Sequence, residues 1–526
     1  MHRTRQESMY SFDNVIRRNV SRFPRKTASR FNAVSHTYED LDQRVNLLVN
    51  SLNQLGLKHG ERIAYMSRNS HIYIEGILAA AKEGFVLTTL NFLLNSNELA
   101  YILRHSDATA ILFQSEFASL VNQASDDCPD LIHFVSLDEP VDFALEYEEL
   151  LESSSDNDFA VAVNEDDLLM LVYTSGTTGK PKGVMLSHRN ICANVIDAVC
   201  GLELSQNTVN LNVCPLYHVA ASVFQTLTTF YIGGTSVTLE KFDPQHVLEA
   251  IERERITYTF LVPTMIFRIL ELSNAAEHDL SSLVKLGYGA APMPLDRLKK
   301  AIGLFGPILF QGYGQTESTA NICILRAEDH DLEADAEKLE RLKSCGRDHS
   351  SHEIRILDPD GLELESGNVG EICVRSSSVM EGYWKDPEKT REAIQKGWLR
   401  TGDMAYMDQD RYIYIVGRKN DLINSGGEKI YPQEIEEVLF EHPAVQEAAV
   451  CGVSHQDWGE VPMAFVVLRP QHTASEDELK EYCTKKLPRF KCPKEVAFLS
   501  ELPKTASGKI TRAGLKKQYA ESGNSS

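Results

Sequence analysis

The sequence predicts an α/β protein: a large N-terminal part of α/β layers carrying a small β section, followed by a small α+β C-terminal domain. Three observations predict it. Through about residue 345, apolar strand-like runs alternate with longer helix-like segments, as in LLMLVYT from Leu168 followed by a periodic stretch beginning near Ser187. Alternation of this kind gives mostly parallel strands with ligands at their C-terminal ends. From about Ser350 the texture changes to short runs between turn residues, with DPDG at Asp358 to Gly361 and ESGNVGEICVRS beyond it, and these read as hairpins. After YIYIVGRKNDLI come a helical EIEEVLFEHP, a strand-like AFVVLRP, a helical EDELKEYCTKKL and a Lys-rich tail, enough chain for a small domain.

The whole chain has 526 residues, and 53 Lys+Arg against 75 Asp+Glu leave a net charge of −22. A hydrophobic content of 43% with 24% charged residues supports a large core and excludes general disorder. The acidic balance argues against nucleic acid as a partner, because broad phosphate binding needs a basic surface. It leaves local binding of a single nucleotide open. The ten cysteines form no CxxC pair; Cys483 with Cys492 and Cys192 with Cys200 have neither zinc nor disulfide spacing.

The first residues are punctuated by Arg and Asp rather than forming an apolar signal core, and the last carry no targeting motif, so the expected location is cytoplasmic. The apolar segment Leu211 to Leu239 is broken by His218, Gln225, Gly233 and Gly234 and reads as a buried core element, not a transmembrane span. Peripheral membrane contact and a homodimer are both compatible with this composition. Between Ala327 and Arg341 the acid-rich run suits an exposed helix, and His330 within it has no ligand-spaced partner.

The strongest chemical signal is YTSGTTGKPKGV, Tyr173 to Val184. Thr174, Ser175, Thr177 and Thr178 interleave with Gly176 and Gly179, and Lys180 and Lys182 follow. Hydroxyls, accessible backbone N–H groups and lysines in one turn can wrap a polyphosphate. Gly183 follows Lys182 and no Ser/Thr stands where a P-loop needs its Mg²⁺ ligand, so this is a different phosphate loop.

The segment resembles the phosphate loop of the adenylate-forming superfamily, which includes acyl-CoA ligases, luciferases and peptide-synthetase adenylation domains. Four further segments resemble that family in the same order: GYGQTES from Gly312, TGD from Thr401, GRKNDLINSGGEKIYPQEIE from Gly417 and PKTASGKITR from Pro503. The resemblance implies an N-terminal AMP- and acyl-binding domain over residues 1–417 and a mobile C-terminal lid over 418–526. It implies ATP, Mg²⁺ and CoA as cofactors and two steps, in which a carboxylate attacks the α-phosphorus of ATP and a thiol then takes the acyl group. Two anions meet in the first step, so charge neutralisation and alignment are what the chemistry needs.

By the same resemblance, Thr316 touches the α-phosphate, Glu317 and Thr174 hold Mg²⁺, Asp403 accepts the ribose hydroxyls with Arg418 beside it, and Lys509 serves adenylate formation. Gly289, Ala290 and Ala291 in GYGAAPMP, with Gln311, Tyr313 and Gly314, line the nucleotide, and Gly426 and Gly427 in SGGE flank the thiol tunnel. PLYHVAASVF, Pro215 to Phe224, resembles the acyl-pocket segment, with His218 as its gate. Val219 stands where amino-acid-activating relatives place an Asp, and a buried ammonium without a partner is unfavourable. The expected acid therefore lacks an α-amino group and is fatty or aryl, with Ala220, Ala221, Val223 and Phe224 as apolar lining and Tyr288 shaping the tunnel.

Two positions depart from the family pattern. Asn420 replaces the usual hinge Asp or Lys, and Arg411 replaces a glycine, which strains the turn if it needs positive φ. Two alternatives stay open from the sequence: an acyl-AMP ligase that loads a carrier protein, and a non-catalytic nucleotide-binding relative.

Overall fold

The computed structural model describes residues 11–157, 162–174, 180–348, 351–504 and 510–521. Two large sheets face each other across a shared core. The nine-stranded sheet runs, edge to edge, Arg347–Asp348, Cys323–Leu325, Leu309–Tyr313, Lys285–Gly289, Tyr258–Leu261, Val209–Asn212, Thr235–Thr238, Thr27–Phe31, Val34–Thr37. Its middle is parallel and its edges are antiparallel. The eight-stranded sheet runs Gly382–Tyr383, Lys182–Ser187, Leu168–Thr174, Val86–Thr89, Arg62–Met66, Ala108–Phe113, His133–Ser136, Leu145–Glu146. Both sheets take strands from distant parts of the chain, so neither can form from a contiguous fragment.

Helices fill the space between the sheets because their sequences are apolar on almost every side. His71–Glu83 starts at a Ser70 cap, ends at left-handed Gly84, and is buried along nearly its full length, as expected of a helix that is hydrophobic all round. His188–Leu202 begins with a capping box in which Ser187 and Asn190 exchange hydrogen bonds. Ala220–Leu227 winds as a π-helix, where the Thr226 and Thr228 hydroxyls donate to the carbonyls five residues back, at 2.8 and 3.2 Å. The shared core gathers Leu169, Met170 and Val172 from one sheet and Tyr258, Phe260 and Phe310 from the other. A separate apolar layer covers the outer face of the nine-stranded sheet with Pro244–Glu254, Pro263–Leu270 and Leu295–Phe305.

The small β section is a five-stranded antiparallel sheet built on Glu353–Leu357, Gly370–Arg375, Trp398–Met407 and Ile413–Arg418. DPDG turns as expected, with Gly361 at φ +85° and its N–H on the Asp358 carbonyl. Arg411 does adopt φ +68°, and its side chain pairs with Asp348 at 2.7 Å, so part of the strain is offset. A fourth sheet, with strands Ile423–Ser425, Glu428–Ile430, Val445–His455, Gly459–Leu468 and Glu495–Phe498, forms the C-terminal unit around its own apolar cluster. The strand Ile413–Arg418 belongs to the small β section, and the chain crosses to the C-terminal unit through Lys419–Asp421.

The acid-rich run is not an exposed helix. Only Ala336–Glu340 is α-helical, after a 3₁₀ turn at Ala327–Asp329. His330 is buried, its Nε2 2.9 Å from the Tyr288 hydroxyl and its Nδ1 2.7 Å from the Arg326 carbonyl oxygen. A buried ring with both nitrogens engaged outweighs a polar surface pattern.

Among the described residues no helix is long and apolar enough to cross a membrane. All ten cysteines are free, and nine of them are buried.

Candidate active site

Two strands of the eight-stranded sheet form the mouth of the phosphate loop. Leu168–Thr174 and Lys182–Ser187 pair antiparallel, with Thr174 opposite Lys182. The two strands that flank residues 175–179 are therefore anchored in the core. Ser175, Gly176, Thr177, Thr178 and Gly179 lie outside the described residues, as does Lys509. At the mouth, the Lys182 ammonium sits 4.9 Å from the centre of the Tyr383 ring, a cation–π contact. The Tyr383 hydroxyl donates to Glu317 Oε1 at 2.9 Å, and the Glu317 carbonyl accepts from Met380 N at 2.9 Å. Burial together with the negative charge of Glu317 pushes the Tyr383 hydroxyl well above its ordinary range. It stays protonated and remains a donor.

Glu317 stands in the 3₁₀ turn Thr316–Ser318, directly after the strand Leu309–Tyr313. Both ends of this turn are pinned. Gln315 N donates to Ser318 Oγ at 3.2 Å, and Thr319 N donates to the Thr316 carbonyl at 2.9 Å. Thr319 has φ +73°, an outlier for a β-branched residue, and its hydroxyl is held by the Ser378 carbonyl at 2.6 Å. Strain of this kind persists only where surroundings over-determine the backbone. Gly314 has no alternative side chain: a Cβ there would lie 1.7 Å from the Ala320 carbonyl oxygen.

The neighbouring strand ends as the sequence predicts. Lys285–Gly289 pairs in parallel with Leu309–Tyr313, Gly289 opposite Gly312 and Tyr288 opposite Gln311. A Cβ on Gly289 would sit 2.2 Å from the Gly312 carbonyl oxygen, so glycine is required by backbone approach. Ala290 follows at φ +65°, and both Ala290 and Ala291 are exposed at the strand end, which gives a flat, small-residue surface. Tyr288 lies on the opposite face of the strand from Gly287 and Gly289. Side chains alternate along a strand, and Gly287 and Gly289 take the inner face towards Phe260 and Phe310, so Tyr288 points outward into the layer shared with Leu286 and Leu298.

The third edge comes from the small β section. Asp403 is only 5% exposed, yet both carboxylate oxygens have donors: Tyr313 OH to Oδ2 at 2.7 Å and Arg418 Nε to Oδ1 at 3.0 Å. The Thr401–Gly402 bend that presents it is fixed by Thr401 Oγ1 on the Ile372 carbonyl, Asp403 N on Thr401 Oγ1, and Gly402 N on Glu371 Oε1. Glu371 Oε2 also meets Arg400 at 2.9 Å and Lys419 at 3.3 Å. Asp403 raises the Arg418 pKa, with burial opposing and the charges of Tyr313, Asp421 and Glu317 adding to it. Asp403 is thus the carboxylate that pairs with the Arg418 guanidinium, and Glu317 adds to the negative field it feels.

His218 precedes the π-helix in the inter-sheet space. Its ring packs 4.4 Å from that of Tyr217, and its carbonyl accepts from Ala221 N, Ser222 N and Ser222 Oγ. Val219, Ala221, Val223 and Phe224 are buried as expected, and Ala220 is half-buried. Gly426 and Gly427 stand apart, on the C-terminal unit. Gly426 has φ +60°, donates to the Trp458 carbonyl at 2.8 Å, and lies so close to the indole that a Cβ would be 2.3 Å from it.

Residues 16–384 match the AMP-binding enzyme family, and residues 434–509 match the AMP-binding enzyme C-terminal domain. The chain is 35% identical over 496 residues to a feruloyl-CoA synthase of an Amycolatopsis species, covering 94% of this chain and 96% of that one. The chain belongs to the AMP-binding enzyme family. It is an adenylate-forming protein of the acyl-CoA-synthetase type. An indoleacetate–CoA ligase of Aromatoleum aromaticum is also 35% identical, over 509 residues, with 96% of this chain and 97% of the relative covered. The crystal structure of an anthranilate CoA ligase in complex with anthranoyl-AMP superposes with a TM-score of 0.88 at 27% identity, covering 97% of each chain.

Several positions escaped sequence reasoning. Tyr383 and Thr319 hold the site together through partners 66 and 59 residues away, and Glu371 through Arg400, Gly402 and Lys419, 29, 31 and 48 residues away. Only the glycine and hydroxyl pattern around them could have hinted at a constrained turn.

Proposed function

We propose that the protein is an AMP-forming acid–thiol ligase: it converts a carboxylic acid and ATP to acyl-adenylate and pyrophosphate, then passes the acyl group to CoA. The observation that carries this is the convergence of Asp403, Arg418, Tyr313 and Glu317 beside the mouth of the phosphate-loop hairpin. One carboxylate is there for neutral hydroxyls and another for a cation.

Asp403 has two oxygens and about four acceptor positions. With Tyr313 and Arg418 each taking one, it can still accept both ribose hydroxyls. The flat edge of Gly289, Ala290 and Ala291 receives the adenine, with Gln311, Tyr313 and Gly314 beside it. Lys182 and the Ser175–Gly179 loop, with Thr316, surround the phosphates. Among the described residues there is no cluster of three or more His, Cys, Asp or Glu side chains suited to a metal. A lone Glu317, with the Thr174 hydroxyl across the loop mouth, fits Mg²⁺, which keeps waters and phosphate oxygens as its other ligands. When bound, the ion neutralises phosphate charge. Tyr383 keeps Glu317 facing the loop, and Lys509 offsets the charge of the attacking carboxylate.

Residues 1–417 form the nucleotide- and acid-binding domain in this reading, and 418–526 form a lid that turns about Lys419–Asp421, with Asn420 taking the φ/ψ change. The turn exchanges Lys509 for Gly426 and Gly427, whose bare backbone admits the slender thiol arm. His218 gates the acid. Apolar Val219 and Phe224 suit an aryl or fatty acid, and the feruloyl-, indoleacetate- and anthranilate-activating relatives favour an aryl one. Soluble co-substrates suit a cytoplasmic enzyme.

Pyrophosphate release from ATP across a panel of aryl and fatty acids, with and without CoA, tests this. Release selective for aryl acids that needs CoA for sustained turnover is the expected result. Release that ignores CoA but responds to a carrier protein would replace the acceptor, and no release with any acid would refute the enzyme.

A further inference from the structure

A cavity of about 280 Å³ opens where the nine-stranded sheet meets the small β section, lined by Ile324, Arg326, Arg347, Asp348, Asp410 and Arg411. None of these residues belongs to the nucleotide and acid site described above. Ile324 is the one apolar member of the lining, so the cavity suits a polar ligand and not the body of an aryl or fatty acid. Its size is below that of sites enclosing a drug-sized molecule, and it takes a small ligand or one group of a larger one.

Three guanidiniums converge on it. Both carboxylates of the lining are already paired: Asp348 accepts from Arg411 Nη2 at 2.7 Å, and Asp410 is held by Arg341 from outside the lining. Among the described residues, Arg326 comes no nearer to a carboxylate than 3.9 Å, at Glu328, and Arg347 makes no ion pair. The Arg347 guanidinium instead lies 4.7 Å from the centre of the Tyr412 ring. That ring is a fixed platform, because Tyr412 is buried and its hydroxyl donates to Asp329 Oδ1 at 2.6 Å. Two guanidiniums without carboxylates, held beside a third, leave the cavity positive in a chain of net charge −22.

Arg411 stands where the adenylate-forming pattern has glycine, and it is held at φ +68°. Glycine would adopt this turn without strain. The Arg411–Asp348 pair has side chains 49% and 25% exposed, and exposed pairs contribute little to stability, so the pair alone does not account for the arginine. It does fix the guanidinium on the cavity wall. Strained backbone concentrates where the side chain it presents is used.

We infer that this cavity is a binding site for a phosphate group, free or carried on a small soluble molecule. Guanidinium forks match phosphate oxygens two at a time and stay charged at physiological pH. A dianion with oxygens on every side engages Arg326, Arg347 and Arg411 together, whereas a monocarboxylate offers two oxygens and one charge. Ile324 pairs with Arg347 on one side and Gly312 on the other, so the strand Cys323–Leu325 separates the cavity from the nucleotide edge. The inference goes beyond the ligase reading and does not depend on it.

Titration calorimetry on the full chain tests it, with inorganic phosphate and glycerol 3-phosphate as probes and chloride and acetate as controls at matched ionic strength. The expected result is a binding component that Arg347→Gln weakens by about tenfold or more and that Lys182→Gln, at the mouth of the phosphate loop, leaves in place. Arg411→Gly should weaken the same component yet melt no lower than wild type without phosphate, because glycine relieves the turn. Tighter binding of glycerol 3-phosphate identifies an esterified ligand, and equal binding a free one; either supports the site. Binding that survives both arginine substitutions, that disappears in Lys182→Gln, or that acetate matches overturns the inference, as does no phosphate binding at all. A lower melting temperature for Arg411→Gly with phosphate binding intact assigns that arginine to the fold and overturns its place in the site.

Discussion

Gly289→Ala separates backbone approach from side-chain packing at the nucleotide edge. The new Cβ would lie 2.2 Å from the Gly312 carbonyl oxygen and 3.3 Å from its carbon. Ordinary contact begins roughly 1 Å further out, and neither atom can rotate away because both strands are locked in register from Leu286–Leu309 to Gly289–Gly312. The strands must part by about 1 Å just before Tyr313, Thr316 and Glu317. A misplacement of that size costs on the order of 100-fold in rate, or about 2.7 kcal/mol of transition-state stabilisation. Overpacking itself destabilises by about 1–3 kcal/mol. The assay is ATP–pyrophosphate exchange at saturating acid, with thermal unfolding measured in parallel. The expected outcome is a roughly 100-fold fall in kcat/KM for ATP with a melting temperature lowered by a few degrees. Gly287→Ala is the contrast. Its Cβ meets only ring carbons, Phe310 Cζ at 2.5 Å and Phe260 Cδ2 at 2.7 Å, so it should alter the choice of acid more than the use of ATP. If Gly289→Ala keeps kcat/KM for ATP within about threefold of wild type, the strand ends do not position the nucleotide.

Four other outcomes follow from the same structure. Gly303 is exposed within the helix Leu295–Phe305, with nothing within 4 Å of a Cβ and no positive φ, so Gly303→Ala should raise stability by about 0.5–1 kcal/mol in urea unfolding. His188 is fully buried, its Nδ1 accepting from Phe12 N at 3.0 Å, and burial lowers its pKa from 6.5 to about 4. The unfolded state therefore binds the extra proton first, so this contribution, about 3 kcal/mol at most, is complete above pH 6.5 and lost as pH falls towards 4; His188→Gln should flatten the pH dependence of unfolding in that window. Asp403→Ala should raise the KM for ATP by about 10- to 100-fold, since it deletes two hydrogen bonds to a charged acceptor. Lys509→Ala should slow adenylate formation by about 100-fold or more yet spare thioester formation from pre-made acyl-adenylate, and equal loss of both steps would remove the role given to it.

The parts of the fold written in local pattern were legible. Strand runs such as LLMLVYT, the DPDG turn, the capped helix after Ser187 and the change of texture near Ser350 all depend on neighbours within a few residues. Sheet membership was not. Thr27–Phe31 joins Thr235–Thr238, and Gly382–Tyr383 joins Lys182–Ser187, pairings that no periodicity announces. The acid-rich run misled because surface charge says nothing of a single histidine; the Tyr288 hydroxyl drew His330 inward and with it the turn. Tyr288 itself was assigned to the tunnel although alternation from Gly287 and Gly289 places it on the other face. At the site, the motif glycines were legible from their motifs, and only at Gly314 is the crowding local, from Ala320; at Gly289 it comes from Gly312 on the neighbouring strand and at Gly426 from Trp458. The hydroxyl of Tyr383 on Glu317 comes from the edge strand of the eight-stranded sheet, and the carboxylate of Glu371 under Gly402 from the small β section; both placements are tertiary results.

A protein of net charge −22 that handles a polyanion must concentrate its cations, and the geometry does so at a boundary. Lys182 lies over the Tyr383 ring, whose hydroxyl holds Glu317. Arg418 is held by Asp403, and its charge is reinforced by Glu317. Arg418 is thereby fixed in place by a carboxylate that has its own task, and Lys182 lies over a ring whose hydroxyl holds another. This arrangement also joins the two halves of the chain. Arg418 is the last residue of the small β section, Lys419 reaches back to Glu371, and Glu371 holds the bend that presents Asp403. The residues that would sense ribose and those that begin the passage to the C-terminal unit are therefore one hydrogen-bonded network. A nucleotide whose ribose hydroxyls took the two remaining acceptor positions of Asp403 would leave the Arg418 tie in place and add to the same network. In this network, a nucleotide held at Asp403 would therefore be one hydrogen bond away from the residues that begin the passage to the C-terminal unit.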